Sequence, residues 1–291
     1  MKKTALLLSL ALFVLFLTSW EWEKNQYPTL QKGEVIECLN METQQAYQLE
    51  ASQARFANMH LAPVKVNPAD LLGTIVPFDA ADGKPGQAYF IPAKKKSDKW
   101  LIVIQEWWGL NDNIKMEADQ YFKDLGDVNV MAVDMYDGKV AATPDSAMKL
   151  MRGADMNRMV ALIQGAIKHA GPKAAIYSVG WCFGGMWSLQ TAILAGPQAK
   201  GSVMYYGRPE TNMEKLISIQ CDIIGFFGNK DQSPSPAMVN AFEQNMKDAG
   251  KNLSVNRYDA GHGFANPSNP SFNAAAKEDS YAKAIAFFKA H

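Results

Sequence analysis

The stretch YSVGWCFGGMWSLQTA, residues 177–192, decides how the rest of the chain is read. It begins in an apolar run, residues 176–179, and passes through Gly180-Trp181-Cys182-Phe183-Gly184-Gly185 into a segment that reads as a helix. Glycines two before and two after Cys182 reproduce the G-x-S-x-G spacing of a nucleophile elbow, with cysteine in place of serine. Bulky neighbours would clash in so sharp a strand-to-helix turn, hence the glycines. Two readings of Cys182 compete: a nucleophile, or a small thiol packed between crowded glycines.

Outward from this stretch, strands and helices alternate. GTIVPFDAADGKPGQAYFIPA (73–93) has two apolar runs around a Gly/Pro/Asp turn and predicts a hairpin. KWLIVIQE (99–106) is a short continuous apolar run, as expected of a buried parallel strand. NDNIKMEADQYFKDLG (111–126) has helical spacing and a glycine stop. VNVMAVD (128–134) is a strand, and helices are expected around 144–152 and 155–170. AAIYSVG, GSVMYYG (201–207), CDIIGFFG (221–228) and LSVNRYDAG (253–261) read as strands. SPAMVNAFEQNMKDAG (235–250) and AAAKEDSYAKAIAFFKA (274–290) read as helices. This alternation predicts an α/β fold, a mostly parallel sheet with helices on both faces.

Ligands of open parallel sheets bind at the carboxyl ends of the strands. Four chemically capable groups fall there. Cys182 follows the 174–180 run, Asp231 follows 221–228, His262 follows 253–261, and Glu106 ends 99–106. The order nucleophile, acid, histidine is that of the α/β-hydrolase arrangement. Each residue alone has a plain structural reading: a packed thiol, a turn or cap aspartate, a loop histidine. Their joint placement favours a triad. His262 also stands out by elimination, because His60 lies in a divergent N-terminal segment, His169 on an expected helix, and His291 at the end.

In that triad the helix after Cys182 favours a thiolate at its amino end. His262 takes the thiol proton and later activates water, and Asp231 orients the imidazole. The backbone N–H groups of Phe183 and Trp107 are the expected oxyanion donors. Glu106 leaves three readings open: it holds the thiol proton, keeps the cysteine quiet until substrate arrives, or is a structural carboxylate tied to loop N–H groups. Trp107, Trp108, Trp181 and Trp187 suggest an aromatic-walled pocket, although simple core packing accounts for Trp187 at least as well.

Composition narrows the partners. Lys+Arg and Asp+Glu balance at 29 each, and Lys94-Lys95-Lys96 is the one basic run. That argues against nucleic acid as a partner. There is no C-x-x-C and no H-x-x-x-H, so neither a metal nor another cofactor is expected. The first twenty residues, MKKTALLLSLALFVLFLTSW, have the charged start and apolar run of an export signal or N-terminal anchor. The folded part is therefore expected outside the cytoplasm, periplasmic or secreted, with no membrane domain beyond that anchor. Residues 21–71 are polar and Gln-rich and read as an extension, with a helix expected at 41–60. The main domain is expected over 72–291. Of the three cysteines, Cys38 and Cys221 either pair, leaving Cys182 free, or all three are thiols.

With these residues in hand, the chain resembles the dienelactone hydrolase family of α/β-hydrolases over roughly residues 72–291. The likeness is carried by the 73–93 hairpin, VIQEWWGLNDN (103–113), VMAVDMYDG (130–138), SVGWCFGGMWS (178–188), FFGNKDQSPS (226–235) and YDAGHGFANP (258–267). It implies a triad of Cys182, Asp231 and His262, and a glutamate, here Glu106, pairing with the thiol. The family's named substrate is an unsaturated lactone bearing a carboxylate, and members acting on it bind that carboxylate with arginines. One such arginine stands four residues after the histidine, where this chain has Asn266. Around 144–152, where an arginine and aromatics would be expected, stand Pro144, Met148 and Met151, with Arg152 close by. Trp108, Trp181 and Asn266 are the expected pocket residues. The function expected is hydrolysis of a small ester or lactone through an acyl-thioester. The alternatives are a non-catalytic fold that binds a small ligand or partner, and a redox-sensing exported thiol.

Overall fold

The computed structural model describes residues 71–291. The expected leader, the extension with its 41–60 helix, and Cys38 lie outside the described residues. Cys221 is a free thiol, and burial pushes its pKa up to about 12, which leaves it an inert one.

Eight strands form one sheet: β1 (Thr74–Asp79), β2 (Pro85–Ile91), β3 (Lys99–Ile104), β4 (Asn129–Val133), β5 (Ala175–Trp181), β6 (Ala199–Tyr205), β7 (Asp222–Gly228) and β8 (Leu253–Tyr258). Their spatial order is β1-β2-β4-β3-β5-β6-β7-β8. The hairpin strands pair antiparallel with each other and β2 pairs antiparallel with β4; every later pairing is parallel. The chain steps from β3 to β4 on one side, then crosses back to β5 on the other. The direction of winding thus reverses between β3 and β5, and the crevice at their carboxyl ends is where such sheets bind ligands.

The helices are α1 (Asp112–Leu125), α2 (Pro144–Arg152), α3 (Met156–Ala170), α4 (Phe183–Ala195), α5 (Met213–Ser218), α6 (Pro236–Asp248) and α7 (Ala274–Ala290). Their starts follow capping chemistry. Asn111 accepts from the Ile114 N–H, Thr143 and Ser146 form a reciprocal box around Pro144, and Ser235 caps α6 ahead of Pro236. The short α5 has no counterpart among the expected elements. Its six residues complete fewer than two turns, too few for an apolar period to emerge, and it rests on the Asn212 cap.

β3 and α4 form the centre. Leu101, Ile102, Val103 and Ile104 are wholly buried, the mark of a strand covered on both faces. α4 is buried without a break from Phe183 to Ala192, as a helix apolar on all sides must be. Its polar residues find partners inside. The Ser188 hydroxyl bonds those of Ser178 at 3.0 Å and Ser202 at 2.9 Å, and Gln190 donates to Glu210 at 2.9 Å. The element carrying Cys182 is therefore held rigidly from every direction.

Candidate active site

Cys182 sits one residue beyond β5 and caps α4, with φ 55° and ψ −116°. A positive φ is costly for a side chain with a Cβ and marks an enforced turn. The turn is enforced by hydrogen bonds: the Cys182 N–H donates to the Tyr205 carbonyl at 3.0 Å, and its carbonyl accepts from Gly185 at 3.0 Å. The glycines are a packing necessity. A Cβ on Gly184 would stand 2.2 Å from the Ile104 carbonyl oxygen and 2.5 Å from that of Gln105. The start of α4 thus presses against the exit of β3, bringing Glu106 and Trp107 to the elbow. Phe183 opens α4, so its N–H belongs to the first turn, which has no intrahelical acceptors.

Asp231 lies three residues past β7, where its Oδ1 accepts from the Ser233 N–H at 2.9 Å. Its Oδ2 is 2.8 Å from His262 Nδ1. Both side chains are buried. Asp231 occupies Nδ1, which leaves Nε2 for Cys182, the imidazole's other side-chain hydrogen-bond partner. Burial opposes a charge on His262. The Asp231 carboxylate and the Cys182 sulfur, by charge and by hydrogen bond, nevertheless hold its pKa well above the usual imidazole range.

Glu106, two residues past β3, is also buried. Desolvation pushes its carboxyl up to about 7, against the lowering effects of the His262 charge and of Asn266. Asn266 Nδ2 donates to Glu106 Oε2 at 2.7 Å, and Asn266 Oδ1 accepts from the Ser268 N–H. The residue standing in place of the clamp arginine is thus a ligand of the glutamate.

The tryptophans divide. Trp108 is buried, edge-on to Trp107 at 5.1 Å. Trp181 stacks on Tyr205 at 5.5 Å and tilts against Tyr121 of α1, so its ring packs between sheet and helix. Trp187 packs within the core against Phe183. On α2, Met151 is buried whereas Arg152 is exposed.

Two tyrosines at the site were not expected from sequence. Tyr206, the residue after β6, is fully buried with φ 38°. Its ring lies edge-to-face on His262 at 5.0 Å. Tyr136, beyond β4, lies 5.6 Å from the Phe183 ring. Both hydroxyls are buried without a hydrogen-bond partner. Burial holds both pKa values well above 10, and charge on Cys182 pushes each further. Both residues follow strand ends, the positional signal used for the other four. An aromatic residue there reads equally well as core.

The arrangement is a thiol on a strained turn, an imidazole against it, a carboxylate behind the imidazole and a second, protonatable carboxylate nearby. Comparisons with known proteins show the family. Residues 87–291 match the model of the dienelactone hydrolase family. The chain is 27% identical over 237 residues to an Escherichia coli K12 protein described as "putative carboxymethylenebutenolidase", covering 70% of this chain and 84% of that one. It is 28% identical over 232 residues to protein usf of Aquifex pyrophilus, covering 75% and 98%. Among solved structures, the fold is similar to that of a dienelactone hydrolase-like promiscuous phosphotriesterase, P91, from metagenomic libraries. That match has a TM-score of 0.62 and 24% identity, and covers 75% of this chain and 98% of that one. The family match spans everything from the second strand to the last helix, including all four sheet-edge groups, and so the chain belongs to the dienelactone hydrolase family, with an α/β-hydrolase fold.

Proposed function

We propose that the chain hydrolyses small carboxylic esters or lactones through an acyl-thioester on Cys182. The observation that carries this reading is the contact chain Cys182–His262–Asp231 at a positive-φ elbow, with the Asp231–His262 contact at 2.8 Å. The sulfur, relieved of its proton by His262, attacks the substrate carbonyl. The oxyanion is met by the N–H groups of Phe183 and Trp107. The imidazolium returns its proton to the leaving oxygen, and water activated by His262 then releases the acid. Asp231 keeps the imidazole in one tautomer and offsets its charge.

The acyl group is expected to be uncharged. His262 and Lys277 are the cations whose charge lowers the Glu106 pKa, and Lys277 is held by Glu117 at 2.6 Å. An anionic substrate would meet a buried carboxylate and an amide where an arginine would neutralise it. The test is Cys182→Ala assayed with short-chain aryl esters and small neutral lactones. Loss of nearly all hydrolysis is expected; undiminished hydrolysis overturns the mechanism.

A further inference from the structure

Tyr206 carries two features that cost stability. Its backbone adopts φ 38°, unusual for a bulky residue. Its hydroxyl is buried with no partner, and a buried unsatisfied hydroxyl costs stability. Strain and an orphaned polar atom at one residue point to a role outside the resting fold.

The surroundings say which role. The Tyr206 N–H is held by the Phe226 carbonyl at 2.8 Å, and the preceding carbonyl, of Tyr205, receives the Cys182 N–H. The turn after Tyr205 therefore begins at the elbow. The ring then lies between His262 at 5.0 Å and Phe264 at 5.3 Å, both edge-to-face, which fixes its direction. Glu106 and Cys182 are the groups whose charge acts most on its hydroxyl. Burial and those charges keep the phenol protonated, so it is a donor throughout the working range.

We propose that Tyr206 is a further catalytic residue, its hydroxyl donating a hydrogen bond to the leaving oxygen of the ester as the acyl-thioester forms. This rests on the Cys182 reading above. In that step the C–S bond is already made and the C–O bond breaks. Its electron pair goes to the leaving oxygen, which takes the proton from His262 Nε2. The imidazole becomes neutral, and Tyr206 keeps its proton throughout. The phenol stabilises negative charge on that oxygen while the proton is in transit. Its ring lies edge-to-face on that imidazole, with centroids 5.0 Å apart.

A donor to the leaving oxygen matters in proportion to the charge that oxygen must bear. Tyr206→Phe is expected to lower kcat/KM for alkyl esters on the order of 100-fold, but for nitrophenyl esters, whose leaving group is stable as an anion, by less than about threefold. The Tm is expected to stay level or rise, since the change removes an unsatisfied hydroxyl. Equal loss on both ester classes, no loss on either, or a marked fall in Tm overturns the proposal, each showing that the hydroxyl serves the fold or nothing. Full hydrolysis by Cys182→Ala overturns the underlying mechanism instead, so the two failures are told apart.

Discussion

Asn266 and Glu106, 160 positions apart in the chain, are joined by a 2.7 Å hydrogen bond from amide to carboxylate. The bond favours the ionised glutamate, but burial outweighs it and the pKa rises from 4.5 to about 7. Between those values the unfolded chain is ionised at this position while the native protein keeps the proton. The contribution is therefore fully present below about pH 4.5 and is lost as pH climbs through 7. The loss is on the order of 3 kcal/mol, from the size of the shift. Glu106→Gln keeps an oxygen for Asn266 and has no proton to lose. Its Tm is expected to match that of the wild type near pH 5 and to exceed it at pH 8, in thermal melts of both proteins.

The Asp231–His262 pair likewise loses its contribution as pH rises. Asp231 raises the imidazole pKa, so the pair's contribution is full below the ordinary histidine pKa of about 6.5 and is lost only as pH rises through the higher native value. Asp231→Asn removes the charge and favours the wrong tautomer. A fall in kcat on the order of 10⁴-fold is expected. The alkaline limb of the pH–rate profile, where the imidazolium loses the proton meant for the leaving group, should move to lower pH. A limb that stays in place would assign it to another group.

Much of this site was legible because its parts carry local signals. Alternating apolar runs gave the order of elements, and the positions after them gave Cys182, Asp231, His262 and Glu106. The glycine spacing signals a sharp turn at Cys182 but not the contact with β3, which the carbonyls of Ile104 and Gln105 make against Gly184. Other parts had no local signal. Tyr206 joins the site through a backbone turn at φ 38°, and YYG at a strand end is as ordinary in a core as at a catalytic centre. Trp181 sits next to Cys182 in sequence, yet strand alternation sends its ring to the opposite side, against Tyr205 and Tyr121. The partner of Glu106 depends on how the loop after β8 folds back on the exit of β3, a contact that no window of sequence contains.

The elbow itself predicts an inversion of a common rule. Glycine normally destabilises a site relative to alanine because the unfolded chain is freer. At φ 55° the side chain costs about 1–2 kcal/mol. Cys182→Gly is therefore expected to be at least as stable as Cys182→Ala, and more stable by about 1 kcal/mol if the turn is held in place. Neither variant should hydrolyse esters. Denaturant unfolding of both decides it, and an Ala variant clearly more stable than Gly would mean that the turn relaxes once the thiol is gone.

Substrate charge offers the last test. Asn266 donates to Glu106 where an arginine would both pair with that carboxylate and meet one on the substrate. In Asn266→Arg the guanidinium would hold Glu106 ionised and leave further donors for a second acid group. The wild type is expected to prefer neutral lactones over carboxylate-bearing ones. The variant should shift the ratio of kcat/KM toward the carboxylate-bearing lactone by about tenfold or more, since an unpaired buried charge is what the amide cannot neutralise. An unchanged ratio in a folded variant would mean that substrate carboxylates do not approach this position, and the preference would have to be sought on the α2 side of the pocket.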